Sequence, residues 1–288
     1  MLITKLRKFK TRYIDKKIYR NLKISDGSVT MVMPLKDRPE CTRRLINELE
    51  REKFVYQILI ADGGKDKKIE KLLSQKRIGK NLNYKYYRYP YDKNLKTFYQ
   101  KMVNILNEVK TDFCFLMDDD DFIYPSGIER CIGILKAGNF YISARGAIST
   151  NKDKNIFEKY KESIIGDSGL VRLNKQARFW HGNFHNIYKT NYLRATWGVI
   201  NIVSPCNYRI VDQLTGFLPA IYGNILRGEF LFLFKCHDER IKTENGFLQS
   251  HLPSQEVWLN SDYWEIEFNK LCHAVIASVQ FVDDCNFE

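Results

Sequence analysis

The chain contains no uninterrupted apolar run approaching the 18 residues that a membrane-crossing helix requires. Its N-terminus is basic but lacks the apolar stretch and small-residue cleavage site of a secretory signal. A cytoplasmic protein, at most peripheral to the inner face of the membrane, is therefore expected. Seven cysteines are present, an odd number, and no two stand in a C-x-x-C pair. That excludes a disulfide framework and a spaced zinc site, and fits a reducing compartment. There is no internal repeat, low-complexity linker or heptad pattern. The charge excess is confined to one end. Residues 1–23 hold nine Lys or Arg against Asp15, leaving only about +4 of the +12 net charge for the remainder. A domain-wide nucleic-acid surface is thereby excluded.

What is present is a core. Apolar residues form 44% of the 288, enough for one large α/β domain. Residues 1–24 form a basic amphipathic segment, with Leu2, Leu6, Phe9, Tyr13 and Ile14 at helical spacing. Such a helix fits an anionic membrane surface or its own domain. From Ser28 the pattern alternates. Short apolar runs at Ser28–Pro34, Val55–Gly64, Asn83–Pro90 and Phe113–Phe122 read as strands. Between them, Glu40–Lys53, Lys67–Lys76 and Leu95–Val109 have helical spacing. This order implies a mainly parallel sheet flanked by helices, Rossmann-like, with ligands beyond the carboxyl ends of the strands. Further on, Asn139–Ser149, Ile200–Pro205 and Phe230–Cys236 read as strands, and Asp212–Leu226 and Trp264–Val282 as helices. The divisions are 1–24, a main domain over 25–240, and a C-terminal helical extension over 241–288.

Three polar clusters fall at the strand ends: Lys36, Asp37 and Arg38; Asp62, Gly63 and Gly64; and Asp118–Asp121. Four successive aspartates repel one another unless a counter-charge intervenes, and a hard divalent cation with oxygen ligands supplies one. In an extended segment Asp118 and Asp120 share a side and can act on one ion together. Asp62 can accept from a base N–H or a ribose hydroxyl.

The segments "VTMVMPLKDRPE", "ILIADGGKD" and "FLMDDDDFIYPSGIERCI" together resemble the family-2-like inverting glycosyltransferases of the GT-A fold, in a bacterial surface-polysaccharide subgroup. The resemblance covers roughly residues 28–140. It implies a GT-A-type domain and a Mn²⁺- or Mg²⁺-dependent transfer from a nucleotide-sugar donor to a glycan or lipid-linked glycan acceptor. It implies donor contacts from Pro34, Leu35, Lys36, Asp37, Arg38, Asp62, Gly63, Asp118 and Asp119, and a metal on Asp118, Asp120 and His237. One departure is plain: the usual D-D-G-S turn is here Asp62-Gly63-Gly64-Lys65, so the second acid is missing. The family also needs a base at a downstream helix start, usually in an acidic pair. Asp212 fits, with Val211 in place of the pair's other member; Asp167 and Glu229 are rivals. Lys235 can meet phosphate as a point charge. The segment 178–188 brings together Trp180, His181, Asn183 and His185, the aromatic and polar mix that binds sugars, and Trp180, His181 and Asp121 are assigned to the acceptor. The reduced Val211-Asp212 pair also admits a catalytically reduced nucleotide-sugar-binding protein of the same fold.

Overall fold

The computed structural model describes residues 28–75, 77–150, 162–178, 182–236, 260–261 and 263–284. The N-terminal segment 1–24 and residues Trp180, His181 and His237 lie outside them, as does the extension between 241 and 259.

Four parallel strands build one half of an eight-stranded sheet, in the order β3-β2-β1-β4. They are β1 (Val29–Leu35), β2 (Gln57–Asp62), β3 (Tyr84–Arg88) and β4 (Phe113–Leu116). Helices α1 (Pro39–Arg51), α2 (Lys68–Leu73) and α3 (Leu95–Glu108) provide the crossovers. The alternation of side chains along each strand decides which helices it meets. Met31, Met33, Leu35, Ile58, Ile60 and Phe115 face α1, α2 and α4 (Pro125–Lys136). Val32, Leu59, Ala61, Cys114 and Leu116 face α3, α6 (Thr190–Val203), α7 (Tyr208–Tyr222) and α8 (Trp264–Asp284). Strands buried on both faces explain why these runs are continuously apolar.

The other half of the sheet is mixed. Strand β7 (Ile187–Lys189) runs antiparallel to both β4 and β6 (Tyr141–Thr150), β8 (Asn224–Lys235) is parallel to β6, and the short β5 (Phe122–Ile123) is antiparallel to β8. Antiparallel pairing has a consequence for the rim. It sets the residues just before β7, and those just after β8, beside the carboxyl ends of the parallel strands. Helix α4 lies so close to β8 that a Cβ on Gly127 would meet the Leu231 carbonyl at 2.6 Å.

Several elements differ from the sequence expectation. Ile200–Pro205, expected as a strand, is mostly the end of α6, because Leu193, Trp197 and Ile200 continue a buried helical stripe. The strand of the aspartate run stops at Leu116, and the chain turns through Asp119 and Asp120 before β5. Helix α7 begins at Tyr208 behind an Asn207 cap, whose side chain accepts from Arg209 N at 2.9 Å. Asp212 therefore sits one turn inside the helix and is not its cap. Helix α5 (Gly169–Arg178), which joins α8 against α7, is not among the elements expected from the sequence. No helix among the described residues is long and apolar enough to cross a membrane.

Candidate active site

The aspartate run leaves β4 at the centre of the sheet, held by the Met117 N–H on the Val32 carbonyl at 3.0 Å. Because the run turns and is not extended, its members part company. A tight turn draws its first and fourth residues together. Asp118 and Asp121 accordingly converge, and with His185 they form a group whose ligand atoms all lie within 4.8 Å of one another. His185 Nε2 stands 3.7 Å from Asp118 Oδ2 and 3.6 Å from Asp121 Oδ2. The antiparallel step from β4 to β7 delivers His185 there, since Cys114 pairs with Tyr188.

Asp119 and Asp120 turn the other way. The Arg38 guanidinium lies 3.1 Å from Asp119 Oδ1 and donates to Asp120 Oδ2 at 2.9 Å. Asp119 is buried and also accepts from Thr42 Oγ1 at 3.1 Å, and the Asp120 carbonyl accepts from Arg44 at 2.7 Å. Arg38 precedes α1, which starts at Pro39, a residue pre-set for a first helical turn. The Thr42 hydroxyl also lies 2.9 Å from the Arg38 carbonyl, so its one proton is shared between that carbonyl and Asp119.

Burial dominates the protonation of these acids. It pushes Asp118 up to about 6, Asp119 up to about 7 and Asp121 up to about 8. Neighbouring carboxylates push each the same way, while Lys235 opposes the rise at Asp118 and Asp121, and Arg38 at Asp119. The His185 imidazole is held neutral, first by burial and then by Lys235 and Arg145. Two crowded carboxylates and a neutral imidazole are the donor set of a hard or borderline divalent ion. The residues fit a metal, and the crowding of buried carboxylates is the electrostatic reason one would be bound.

Asp212 stands on α7, solvent-accessible. Surrounding protein raises its pKa, while Lys235 and Arg209 oppose the rise. Asp212 lies one turn inside α7, not at the helix start expected for the base. Asp167 and Glu229 are exposed.

The other strand ends form a second polar floor. Asp62 is fully buried and accepts from Gly64 N, Tyr86 Oη and Arg88, each at 2.7 Å. Asp37 takes a positive φ of 54° and accepts from Lys65 N at 2.6 Å. Leu35 is buried in the core, and its carbonyl receives Gly63 N at 3.0 Å and Lys101 Nζ at 3.1 Å. Pro34 is half-buried. Lys36 Nζ donates to the Asp92 carbonyl at 2.6 Å. The sequence pattern does not single out His185 as a ligand, nor Asp92, Lys101 and Arg44. His185 stands out in it only as part of a segment of sugar-binding composition. The others come from loops and helices whose approach depends on the crossovers. Asn183, flagged with it, is fully buried, donating to the Gly216 carbonyl at 2.9 Å and accepting from Arg227 at 3.1 Å.

The chain matches the family model for glycosyl transferase family 2 over residues 30–206, more than half of its length. No curated protein matches it. Among solved structures it is similar to S. aureus TarS, with 13% identity and a TM-score of 0.54, covering 88% of this chain and 43% of that one. It is also similar to S. aureus TarS 1–349, at 12% identity and a TM-score of 0.52, covering 88% and 72%. The complex of TarS 1–349 with UDP-GlcNAc gives 12% identity and a TM-score of 0.51, covering 88% and 81%. The chain thus spans less than half of the first of these, and at such identities the likeness is one of fold.

Proposed function

The chain belongs to glycosyl transferase family 2, and from that premise we propose that it is a metal-dependent inverting transferase acting on a nucleotide-sugar. The observation that carries this reading is the convergence of Asp118, Asp121 and His185 at the carboxyl end of β4. These residues would hold Mn²⁺ or Mg²⁺, while the Asp120 carboxylate stays with Arg38. The ion would supply charge neutralisation for the departing diphosphate.

The chain's own residues have distinct parts. Arg38 holds Asp119 and Asp120 in place and keeps the turn closed. Lys235 faces the acids and adds a positive charge on the diphosphate side. The Pro34–Arg38 turn and the Asp62–Gly63 turn frame the nucleoside. Asp212, which feels the same Lys235 as the acids, removes the proton from the attacking hydroxyl; its raised pKa makes it a better base than an ordinary aspartate. Attack on the face of the sugar opposite the departing diphosphate inverts the anomeric centre. The binding of UDP-GlcNAc by a protein of the same fold supports a nucleotide-sugar donor. A growing surface glycan, lipid-linked or free, is the proposed acceptor, with Trp180 and His181 on its side.

The test is calorimetry with nucleoside diphosphates and nucleotide-sugars, with and without Mn²⁺, on the wild type and Asp118→Ala. Manganese-dependent binding of one nucleotide, lost in the variant, is the expected outcome. Absence of binding across the panel would sink the reading, and metal-dependent binding without turnover would identify a non-catalytic relative.

A further inference from the structure

Gly63 stands where the family turn carries its second acid, and the structure shows what fills the space. A Cβ built on Gly63 would meet Oδ2, Cγ and Oδ1 of Asp92 at 2.2, 2.4 and 2.7 Å. These are its three nearest neighbours. The Gly63 backbone is not in the left-handed region, so the local chain would accept a side chain; the Asp92 carboxylate stands in its place. The two segments are also tied by their backbones, with Asp92 N donating to the Gly63 carbonyl at 2.9 Å.

Asp92 arrives from the loop between β3 and α3. A capping box of Asn94 and Thr97 fixes the start of α3, with Thr97 N on Asn94 Oδ1 at 3.0 Å. That sets Lys101, a buried residue on the next turns, against Asp92 Oδ2. The other oxygen, Oδ1, is buried and has no hydrogen-bond partner. It is an acceptor that the protein leaves open. Asp62, by contrast, spends its carboxylate on three internal donors. Above Asp92 lie two side chains that solvent reaches: Lys36, whose Nζ rests on the Asp92 carbonyl, and Tyr91, whose ring Lys36 covers at 4.7 Å.

We propose that Asp92 supplies, from a different segment, the carboxylate missing at position 63, and that its open Oδ1 accepts an N–H of the donor's nucleobase. The base enters as Lys36 swings aside, and it stacks on the uncovered face of Tyr91. Lys101 orients the carboxylate and favours its ionised form against the burial that raises its pKa. Gly63 and Asp92 are then a reciprocal pair: a side chain at one position requires its absence at the other. The inference rests on the nucleotide-sugar reading above and assigns that site its base-reading group.

The experiment uses Asp92→Gly, Gly63→Asp and the double variant Gly63→Asp/Asp92→Gly. Each is titrated in Mn²⁺ with nucleoside diphosphates and with inorganic pyrophosphate, which has no base. Asp92→Gly is expected to weaken the preferred nucleoside diphosphate by about tenfold or more, as loss of a charged hydrogen bond does, and to leave pyrophosphate unchanged. Gly63→Asp alone is expected to lower the melting temperature, because two carboxylates collide. The double variant is expected to regain both stability and nucleotide affinity. Should Asp92→Gly fail to fold because Lys101 is left unpaired, the double variant still decides, since it restores a carboxylate beside Lys101. A folded double variant that binds pyrophosphate but not the nucleotide overturns the proposal, as does an Asp92→Gly protein with undiminished nucleotide affinity. If the wild type binds no nucleoside diphosphate, the transferase reading itself falls.

Discussion

His185 places its Nε2 3.6 Å from Oδ2 of Asp121, although the two residues lie in turns that flank different strands and belong to different stretches of sequence. The contact exists because β7 runs antiparallel to β4, which sets the start of one strand against the end of the other. It turns a run of acids into a three-pronged donor set. His185→Ala is therefore expected to weaken Mn²⁺ binding by about 100-fold or more, beyond the 10- to 100-fold that loss of an outer-sphere partner costs. Titration of Mn²⁺ by electron paramagnetic resonance measures it, and an unchanged affinity would remove His185 from the metal's shell.

The protonation of the site gives a pH prediction. Asp118, Asp119 and Asp121 have pKa values raised by burial to about 6, 7 and 8. A carboxylate whose folded pKa lies above its unfolded value adds stability that is complete below about pH 4 and is lost as pH rises through the folded value. The metal-free protein is thus expected to lose melting temperature between about pH 4 and 8 from these groups. Mn²⁺ binds the ionised form, so its stabilising effect grows over the same interval. Thermal melts at pH 5.5 and 8, with and without Mn²⁺, check the sign; a manganese shift that shrinks with pH contradicts it.

Arg38 is the counter-charge of Asp119, which is buried. Removing one partner of a buried pair leaves the other uncompensated, at about 3–5 kcal/mol. Arg38→Ala is expected to lose about that much stability in denaturant unfolding. Arg38→Lys recovers part of it, since an ammonium lacks the fork that reaches Asp119 and Asp120 together. Full recovery by lysine would show that charge alone, not the fork, holds the turn.

Asp212 is solvent-accessible, and its backbone carbonyl accepts from Thr215 Oγ1 at 2.9 Å. Asp212→Asn is accordingly expected to change stability by no more than about 0.5 kcal/mol. Its kcat is expected to fall by about 10²- to 10⁴-fold, the usual contribution of a general base, with KM for the donor unchanged. In the wild type the acid limb of the pH–rate profile lies above that of an ordinary aspartate, in keeping with the raised pKa. Steady-state kinetics of the variant decide: an equal loss in donor affinity would assign Asp212 to binding.

Much of this protein was legible along the chain. Strands buried on both faces must be continuously apolar, so β1, β2 and β4 stood out, and helices with one buried stripe stood out between them. Their alternation alone implied a parallel sheet and a rim of polar residues at its carboxyl edge, where Arg38, Asp62 and Asp118 are found. What the sequence could not convey was how residues at that rim choose partners. The turn at Asp119–Asp120 splits the acid run, sending Asp118 and Asp121 toward His185 and Asp119 and Asp120 toward Arg38. The carboxylate absent at Gly63 reappears from Asp92. Local patterns record which face of an element is buried, because burial follows the period of the backbone. Contacts between the ends of distant elements depend on strand order and direction, and those are set by the packing of the whole sheet.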